Sequence, residues 1–242
     1  YARHILKLKP IEPIDSDPGA AYRGLIIHAV LDEFITQYPR ALPENAEEVI
    51  LEIGNRYFDS HVFRPGIRAF WWPRFQRIAK WFVVNERQRR KTGWEVIATE
   101  ALGKRIFSYD KINFTLTARA DRIDQNAEGK LSIIDYKTGQ APSDKQIAAG
   151  LSPQLPLEAA IANASGFEGV LDKTVIHLIY ISLSGGRQPG QERALKLNIG
   201  QTIENSVSGL QRLIHKYGDP KMPYLSQPRP MLETPFGEYN HL

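Results

Sequence analysis

The order of hydrophobic patterns along the chain predicts an α/β fold with a helical region ahead of the core. Apolar residues recur at helical spacing in the first third of the chain, and after Gly93 they alternate as in β-strands. A chain of 242 residues can bury one sizeable core, so we expect a single domain. Its predicted parts are a mainly helical region (1–93), an α/β core (94–218) and an extended tail (219–242).

The helical region is predicted to contain three helices. The first follows a capping sequence at residues 15–18 and places four residues on or beside its buried face: Leu25, His28, Leu31 and Ile35. The second is predicted from Glu44 to Phe58. The third is predicted to begin at Pro73, because proline favours the first helical position.

The core is predicted to open with three antiparallel strands and to end on a helix. The strands are Trp94 to Glu100, Lys111 to Asp124 and Leu131 to Lys137, with a turn at QNAEGK (Gln125 to Lys130). The later elements are a helix from Pro153 to about Ser165, strands at Val175 to Leu183 and Ala194 to Ile199, and a helix ending at Gly218.

Composition excludes several classes of function. The chain has no cysteine, which rules out disulfides, thiolate catalysis and cysteine-ligated zinc or iron–sulfur clusters, and suits a reducing compartment such as the cytoplasm. No apolar run is long enough to span a membrane, and no GxxxxGK loop for ATP is present. Because the first residue is Tyr1 rather than Met, we expect a segment of a longer polypeptide.

The turn QNAEGK predicts that two acids face each other. If it is centred near Glu128, Asp121 and Asp135 are cross-strand neighbours, roughly 5 Å apart. Like charges so close call for a cation between them or a shared proton. Two carboxylates with room for water suit Mg²⁺.

Lys137 belongs to the same predicted site. It lies two residues after Asp135 in the stretch IIDYKTG, so both side chains project from one side of the strand. Beside a metal ion, an ammonium group helps to orient water and to stabilise charge developing on a phosphate. The alternative is a strand-end ion pair between Asp135 and Lys137, with Asp121 solvated at the hairpin edge.

Four motifs follow one another along the chain: GLIIHAVLDEF, ARADRID, IIDYKTG and PQLPLEA. In this order they resemble the RecB-type branch of the PD-(D/E)XK nuclease superfamily, most closely the C-terminal nuclease domains of the AddB family of helicase-nuclease subunits. The resemblance covers nearly the whole chain. It implies a restriction-endonuclease-like core, with a central mixed sheet in αβββαβ order and an N-terminal helical lid. It also implies DNA cleavage in double-strand-break repair beside a helicase-nuclease partner subunit.

The resemblance also assigns roles to single residues. It implies Mg²⁺, with Mn²⁺ able to substitute, held by His28, Asp121, Asp135 and the Tyr136 carbonyl. Lys137 is the implied catalytic lysine, and Gln154 is the glutamine of the downstream helix. Glu100 matches an acid of the first core strand or is a solvated edge carboxylate.

The chain departs from that family pattern at two points. Many family members carry a four-cysteine iron–sulfur staple, which cannot exist here. The glutamine motif often continues to a tyrosine, where this chain has Glu158. That exchange puts a base-stacking role at this position in doubt and leaves the metal site untouched.

The segment from Arg64 to Lys91 is strongly basic, with nine basic residues and one acid. Beside a phosphodiesterase site this helix is predicted to follow the backbone of a single DNA strand, through Arg68, Arg74, Arg77 and Lys80. Trp71 and Trp72 either stack on bases or fill the joint between the helices and the core. Two other interpretations stay open for the whole chain: a non-catalytic DNA- or partner-binding module of the same fold, and a stand-alone exonuclease.

Overall fold

The chain forms a mixed sheet with helices on both faces. The structure is a computed structural model that describes residues 6–7, 19–61, 64–109, 112–170, 173–223 and 225. The helices are α1 (Ala20–Gln37), α2 (Ala46–His61), α3 (Pro65–Lys91), α4 (Asp144–Ala148), α5 (Gln154–Ala162) and α6 (Ile199–Gly218). The strands are β1 (Trp94–Tyr109), β2 (Ile112–Asn126), β3 (Leu131–Lys137), β4 (Val175–Ser182) and β5 (Gln191–Ala194).

The five strands follow the order β1-β2-β3-β4-β5 in the sheet. All neighbours are antiparallel except β3 and β4, which run parallel and are joined through α4 and α5. A parallel pair needs such a crossover, because its second strand must start at the same end as the first. The prediction of a restriction-endonuclease-like α/β core with N-terminal helices is thus confirmed.

Alternate residues of β3 point into two separate cores. Ile134 and Tyr136 pack with α1, α2 and α3 on one face of the sheet, whereas Leu131 and Ile133 pack with α5 and α6 on the other. Trp71 is buried in the first core, which agrees with a packing role. Among the described helices, none has the length and the apolar character of a membrane span.

The predicted start of the third helix at Pro73 is wrong, because α3 begins at Pro65 and Pro73 lies inside it. Pro65 occupies the favourable first position instead. Aromatic residues flank the interior proline and pack around it: the Trp72 ring lies 5.6 Å from that of Phe75 and 5.3 Å from that of Phe58. The capping sequence predicted at residues 15–18 lies outside the described part of the chain.

The strand predicted at Ala194 to Ile199 is also wrong. β5 ends at Ala194, and Asn198 caps α6, its side chain accepting a hydrogen bond from the Gln201 N–H. Leu195 and Leu197 pack against the second core from irregular backbone, and Ile199 does so from the start of α6, so their alternation resembles that of a strand. The sequence analysis did not predict α4, which begins with a capping box at Ser143.

A buried ion network joins α3 to the sheet. Arg122 on β2 is fully buried and donates to Glu86 of α3 and to Asp124, each over 2.6 Å. Arg89 of α3 donates to Asp124 over 2.6 Å and to Ser132 over 3.0 Å. The basic segment is therefore not a wholly solvated face, since Arg89 is part of the protein interior.

Candidate active site

The candidate site lies where β2 and β3 separate. The predicted register is confirmed: Asp124 pairs with Ser132, and Arg122 with Ile134 is the last pair of the ladder. Asp121 precedes Arg122 in β2 and lies one position beyond the last pair. Its Oδ2 accepts a hydrogen bond from the Tyr136 N–H over 2.8 Å. A carboxylate thus takes the place of a backbone acceptor, and its charge is held at the fork between the strands.

α1 brings His28 to the same fork. The Nε2 atom of His28 lies 3.0 Å from the Tyr136 carbonyl oxygen, and its Nδ1 lies 3.6 Å from Oδ1 of Asp121. Burial acts to lower the pKa of His28, but the hydrogen bond and the charge of Asp121 outweigh it, and the pKa is raised. Three of the predicted ligands, His28, Asp121 and the Tyr136 carbonyl, are therefore in contact.

Glu100 of β1 completes an acidic group with two of these residues. Candidate ligand atoms of His28, Glu100 and Asp121 all lie within 4.8 Å of one another. Glu100 has a left-handed backbone, with φ of 45°, a conformation that costs non-glycine residues of order 1–3 kcal/mol. Burial and then the charge of Asp121 raise its pKa. Of the two interpretations of Glu100, the structure favours the one that places it in the site.

Asp135 lies outside that group and faces Lys137 and Gln154. The Lys137 ammonium is 2.9 Å from Oδ1 and 2.8 Å from Oδ2, and the Gln154 amide donates to Oδ1 over 2.6 Å. Burial and then the charge of Asp121 raise the pKa of Asp135 to about 6, although Lys137 opposes them. The charge of Asp121 therefore acts on Asp135, and the contact of one ion with both carboxylates stays a prediction.

Gln154 connects the acid and the lysine in a fixed orientation. Its amide nitrogen donates to Asp135 and, over 3.1 Å, to Glu158, while its oxygen accepts from Lys137 over 3.0 Å. A reversed amide would present a donor to the Lys137 ammonium and an acceptor to the Asp135 carboxylate. The position of the Lys137 ammonium therefore depends on this glutamine.

Glu158 is the part of the site whose role the sequence analysis did not recognise. It lies one helical turn after Gln154, a spacing that places both side chains on one face of α5. Glu158 is 3% exposed, and burial raises its pKa to about 8 against the opposing hydrogen bond from Gln154. In the metal-free protein at neutral pH it is mainly a neutral carboxylic acid.

The change Glu158→Gln is expected to stabilise the metal-free protein much more near pH 8 than near pH 5. The unfolded chain loses the glutamate proton near pH 4.5, whereas the folded chain keeps it to about pH 8, so wild-type stability falls across that window. A pKa change of one unit corresponds to about 1.4 kcal/mol. The gain in stability from the exchange is therefore expected to be roughly 2–4 kcal/mol larger at pH 8 than at pH 5. Urea unfolding at both pH values measures it, with the exposed Glu204→Gln as the control for loss of one charge. A difference between variant and wild type that is independent of pH would contradict the burial of an ionisable group here.

The four basic residues predicted to bind nucleic acid differ in their surroundings. Arg68 pairs with Asp59 and donates to Asn55 over 2.7 Å, and Arg77 donates to the Gly185 carbonyl over 2.8 Å. Among the described residues, neither Arg74 nor Lys80 has a hydrogen bond or an ion pair. Arg68 and Arg77 thus hold α3 in place, and the other two side chains remain available to a ligand.

Comparison with known proteins identifies the family. A sequence model of the PD-(D/E)XK nuclease superfamily matches residues 1–224. The chain belongs to this superfamily. PD-(D/E)XK nucleases generally use divalent metal ions, and two features of this site suit a cation. The charge of Asp121 raises the pKa of both Glu100 and Asp135, and the described contact of the buried Oδ2 atom of Asp135 is with the Lys137 ammonium.

The curated relatives of this PD-(D/E)XK domain are uncharacterized. A protein of Rickettsia bellii (strain RML369-C) is 28% identical over 230 residues, which are 90% of this chain and 27% of that protein. A protein of Rickettsia felis (strain ATCC VR-1525 / URRWXCal2) is 27% identical over 211 residues, which are 86% of this chain and 24% of that protein. The chain therefore spans about a quarter of the length of the curated relatives that it matches. A solved structure described as "Crystal structure of SSO0001" aligns over 79% of this chain and 88% of its own, with 14% identity and a TM-score of 0.30.

Proposed function

We propose that this PD-(D/E)XK domain is a Mg²⁺-dependent nuclease that hydrolyses phosphodiester bonds of DNA, with Mn²⁺ able to replace Mg²⁺. The observation that carries the proposal is the meeting of Asp121, Asp135 and Lys137 with a helix-borne histidine in one fork of the sheet. A structural ion pair between Asp135 and Lys137 would not need two further acids beside it. Their mutual repulsion lowers stability unless a cation binds.

His28, Asp121, Asp135 and the Tyr136 carbonyl would hold the ion, with Glu100 as an additional carboxylate. The ion would supply Lewis-acid stabilisation of charge on the scissile phosphate. Lys137 is placed by Gln154, and its ammonium can donate hydrogen bonds to an attacking water and to a phosphate oxygen. Gln154 and Glu158 keep that ammonium beside Asp135.

The finer assignment follows the sequence resemblance. We infer a single-stranded DNA substrate, exonucleolytic cutting and an AddB-like place in a helicase-nuclease complex for double-strand-break repair. The curated relatives are about three and a half times as long as this chain, which agrees with a nuclease domain attached to other functions. Acting on chromosomal DNA, the protein would work in the cytoplasm.

The test is cleavage of a single-stranded oligonucleotide with Mg²⁺ by the wild type and by Asp135→Ala. We expect cutting that stops with EDTA and falls at least a hundredfold in the variant, because one metal carboxylate is lost. Undiminished cutting by the variant would defeat the assignment. Calorimetry with Mn²⁺ separates a nuclease from a non-catalytic module, since a module without a metal site would give no binding heat.

A further inference from the structure

A second charged feature lies at the carboxyl end of β3, on the side of α1. α1 runs antiparallel to the end of this strand, with His28 at the Tyr136 carbonyl and Arg23 at the Thr138 carbonyl, where Nη2 lies 3.5 Å from the oxygen. A Cβ atom on Gly24 would lie 3.0 Å from Oγ1 of Thr138, so this glycine permits the close approach. The guanidinium of Arg23 is thereby held next to the residue that follows Lys137.

Arg74 of α3 comes to the same end of the sheet. Its backbone lies against Gly185, where an added Cβ would be 2.6 Å from the Arg74 carbonyl oxygen, and Arg77 donates to the Gly185 carbonyl. The loop that carries Gly185 leaves β4 at Leu183, whose N–H donates to the Lys137 carbonyl over 2.7 Å. α1 and α3 therefore each place an arginine at the end of the sheet where β3 carries Lys137.

Both arginines lie at the end of the sheet that carries Lys137. Burial lowers the pKa of Arg23, and the positive charge of Arg74 lowers it further. Among the described residues, no acid pairs with either of them. Two neighbouring cations without a carboxylate partner cost free energy in the absence of an anion, so their position favours binding of one.

The surroundings of Arg74 leave its donors accessible. Its guanidinium lies over the ring of Phe70, 4.2 Å from the centroid, and that ring is 58% exposed. Stacking on an aromatic face uses the flat side of the guanidinium and leaves the N–H groups at its edge free. These groups form the planar fork that matches phosphate oxygens.

We propose that Arg23 and Arg74 together bind a backbone phosphate of the DNA strand next to the one that is cleaved. The inference rests on the proposed nuclease function and adds to it the place where the substrate strand passes the site. Thr138 lies two residues after Tyr136, and two residues of extended chain cover at most about 7 Å. Because the Arg23 guanidinium contacts the Thr138 carbonyl, it lies within about 10 Å of the Tyr136 carbonyl. The acids at the fork between β2 and β3 suit a metal cation, and the nearby pair of arginines suits a phosphate anion. This arrangement of charges matches a DNA strand with a metal ion bound at one of its phosphates.

The experiment compares Arg23→Gln, Arg74→Gln and the double variant with Arg212→Gln. Arg212 is an exposed arginine on α6, which packs on the opposite face of the sheet, so it controls for loss of one positive charge. Binding of a labelled single-stranded oligonucleotide is measured in EDTA by fluorescence anisotropy across a salt series. Cleavage with Mg²⁺ is measured separately as kcat and KM.

We expect each single variant to raise Kd about fivefold to tenfold, and loss of the phosphate contact to reduce the salt slope by about 0.7. KM should rise by a similar factor with kcat nearly unchanged, because a contact remote from the reacting atoms supports binding alone. Arg74→Lys, which keeps the charge without the fork, should lie between Arg74→Gln and the wild type.

The proposal is overturned if the arginine variants bind DNA as Arg212→Gln does, or if their salt slope equals that of the wild type. Circular dichroism of each variant checks that the fold is kept. The binding assay contains no metal, so its outcome does not depend on the cleavage test. Metal-dependent cutting that needs Asp135, with unchanged binding by the arginine variants, would leave the nuclease assignment standing and reject only the phosphate site.

Discussion

Replacing Lys137 by methionine is expected to reduce Mg²⁺-dependent cleavage by roughly 10²–10⁴-fold while metal binding is kept or strengthened. Methionine has a similar shape and lacks the ammonium that lies 2.8–2.9 Å from both oxygens of Asp135. Without this positive charge, Asp135 attracts a divalent cation more strongly. A loss of cleavage with metal binding that is kept or strengthened cannot result from a simple loss of folding.

The measurement pairs single-turnover cleavage with calorimetry of Mn²⁺ binding. Lys173→Met serves as the control, because Lys173 donates to Gln125 near the hairpin turn, away from the carboxyl end of β3. Equal cleavage by Lys137→Met and Lys173→Met would reject a catalytic role. Weaker Mn²⁺ binding by Lys137→Met would show that the lysine supports the metal rather than the reaction.

Replacing Arg122 by methionine is expected to destabilise the protein by about 3–5 kcal/mol, the typical result when one partner of a buried ion pair is removed. Arg122 is 0% exposed, and its guanidinium donates to both oxygens of Glu86 and to both oxygens of Asp124. After the exchange, both acids stay in the interior with less compensating charge. Arg89 and Arg90 neutralise them only in part.

Urea unfolding measures this loss, and Arg119→Met is the matched control on the same strand. Arg119 pairs with Glu100 over 2.6 Å, but its side chain is 63% exposed, and exposed pairs contribute about 0–1 kcal/mol. A similar loss in both variants would mean that the buried network contributes no more than a surface pair. The Tyr136 hydroxyl lies 3.4 Å from Arg122, so the network also supports the strand that presents the Tyr136 carbonyl.

The hairpin between β2 and β3 is the part of the site that could be predicted from local sequence. The turn lies within QNAEGK, after Asn126, and side chains alternate on both strands, so the pairing of Arg122 with Ile134 follows from counting. The predictions of a helix start at Pro73 and of a strand at Ala194 to Ile199 were wrong because the same local signals fit more than one structure. A proline is acceptable within a well-packed helix, and alternating leucines can pack from a loop.

Contacts between distant elements could not be predicted in this way. His28 and Tyr136 are 108 residues apart, and only the family resemblance connected them before the structure did. The left-handed backbone at Glu100 carries no sequence signal, because glycine and asparagine are the usual residues there. Glu158 could have been noticed from its spacing to Gln154, but its burial depends on how α5 packs on the sheet.

The sequence alone determined the α/β class, the register of the hairpin and the presence of an acid and a lysine on one side of β3, because turn chemistry and side-chain alternation are local properties. Only the tertiary structure decided which partners meet these residues. It placed Glu100 and His28 with Asp121, joined Asp135 to Gln154 and Lys137, and brought Arg23 and Arg74 to one end of the sheet. Those contacts depend on the packing of helices against two faces of a sheet, and such packing is set by the whole core rather than by any one segment.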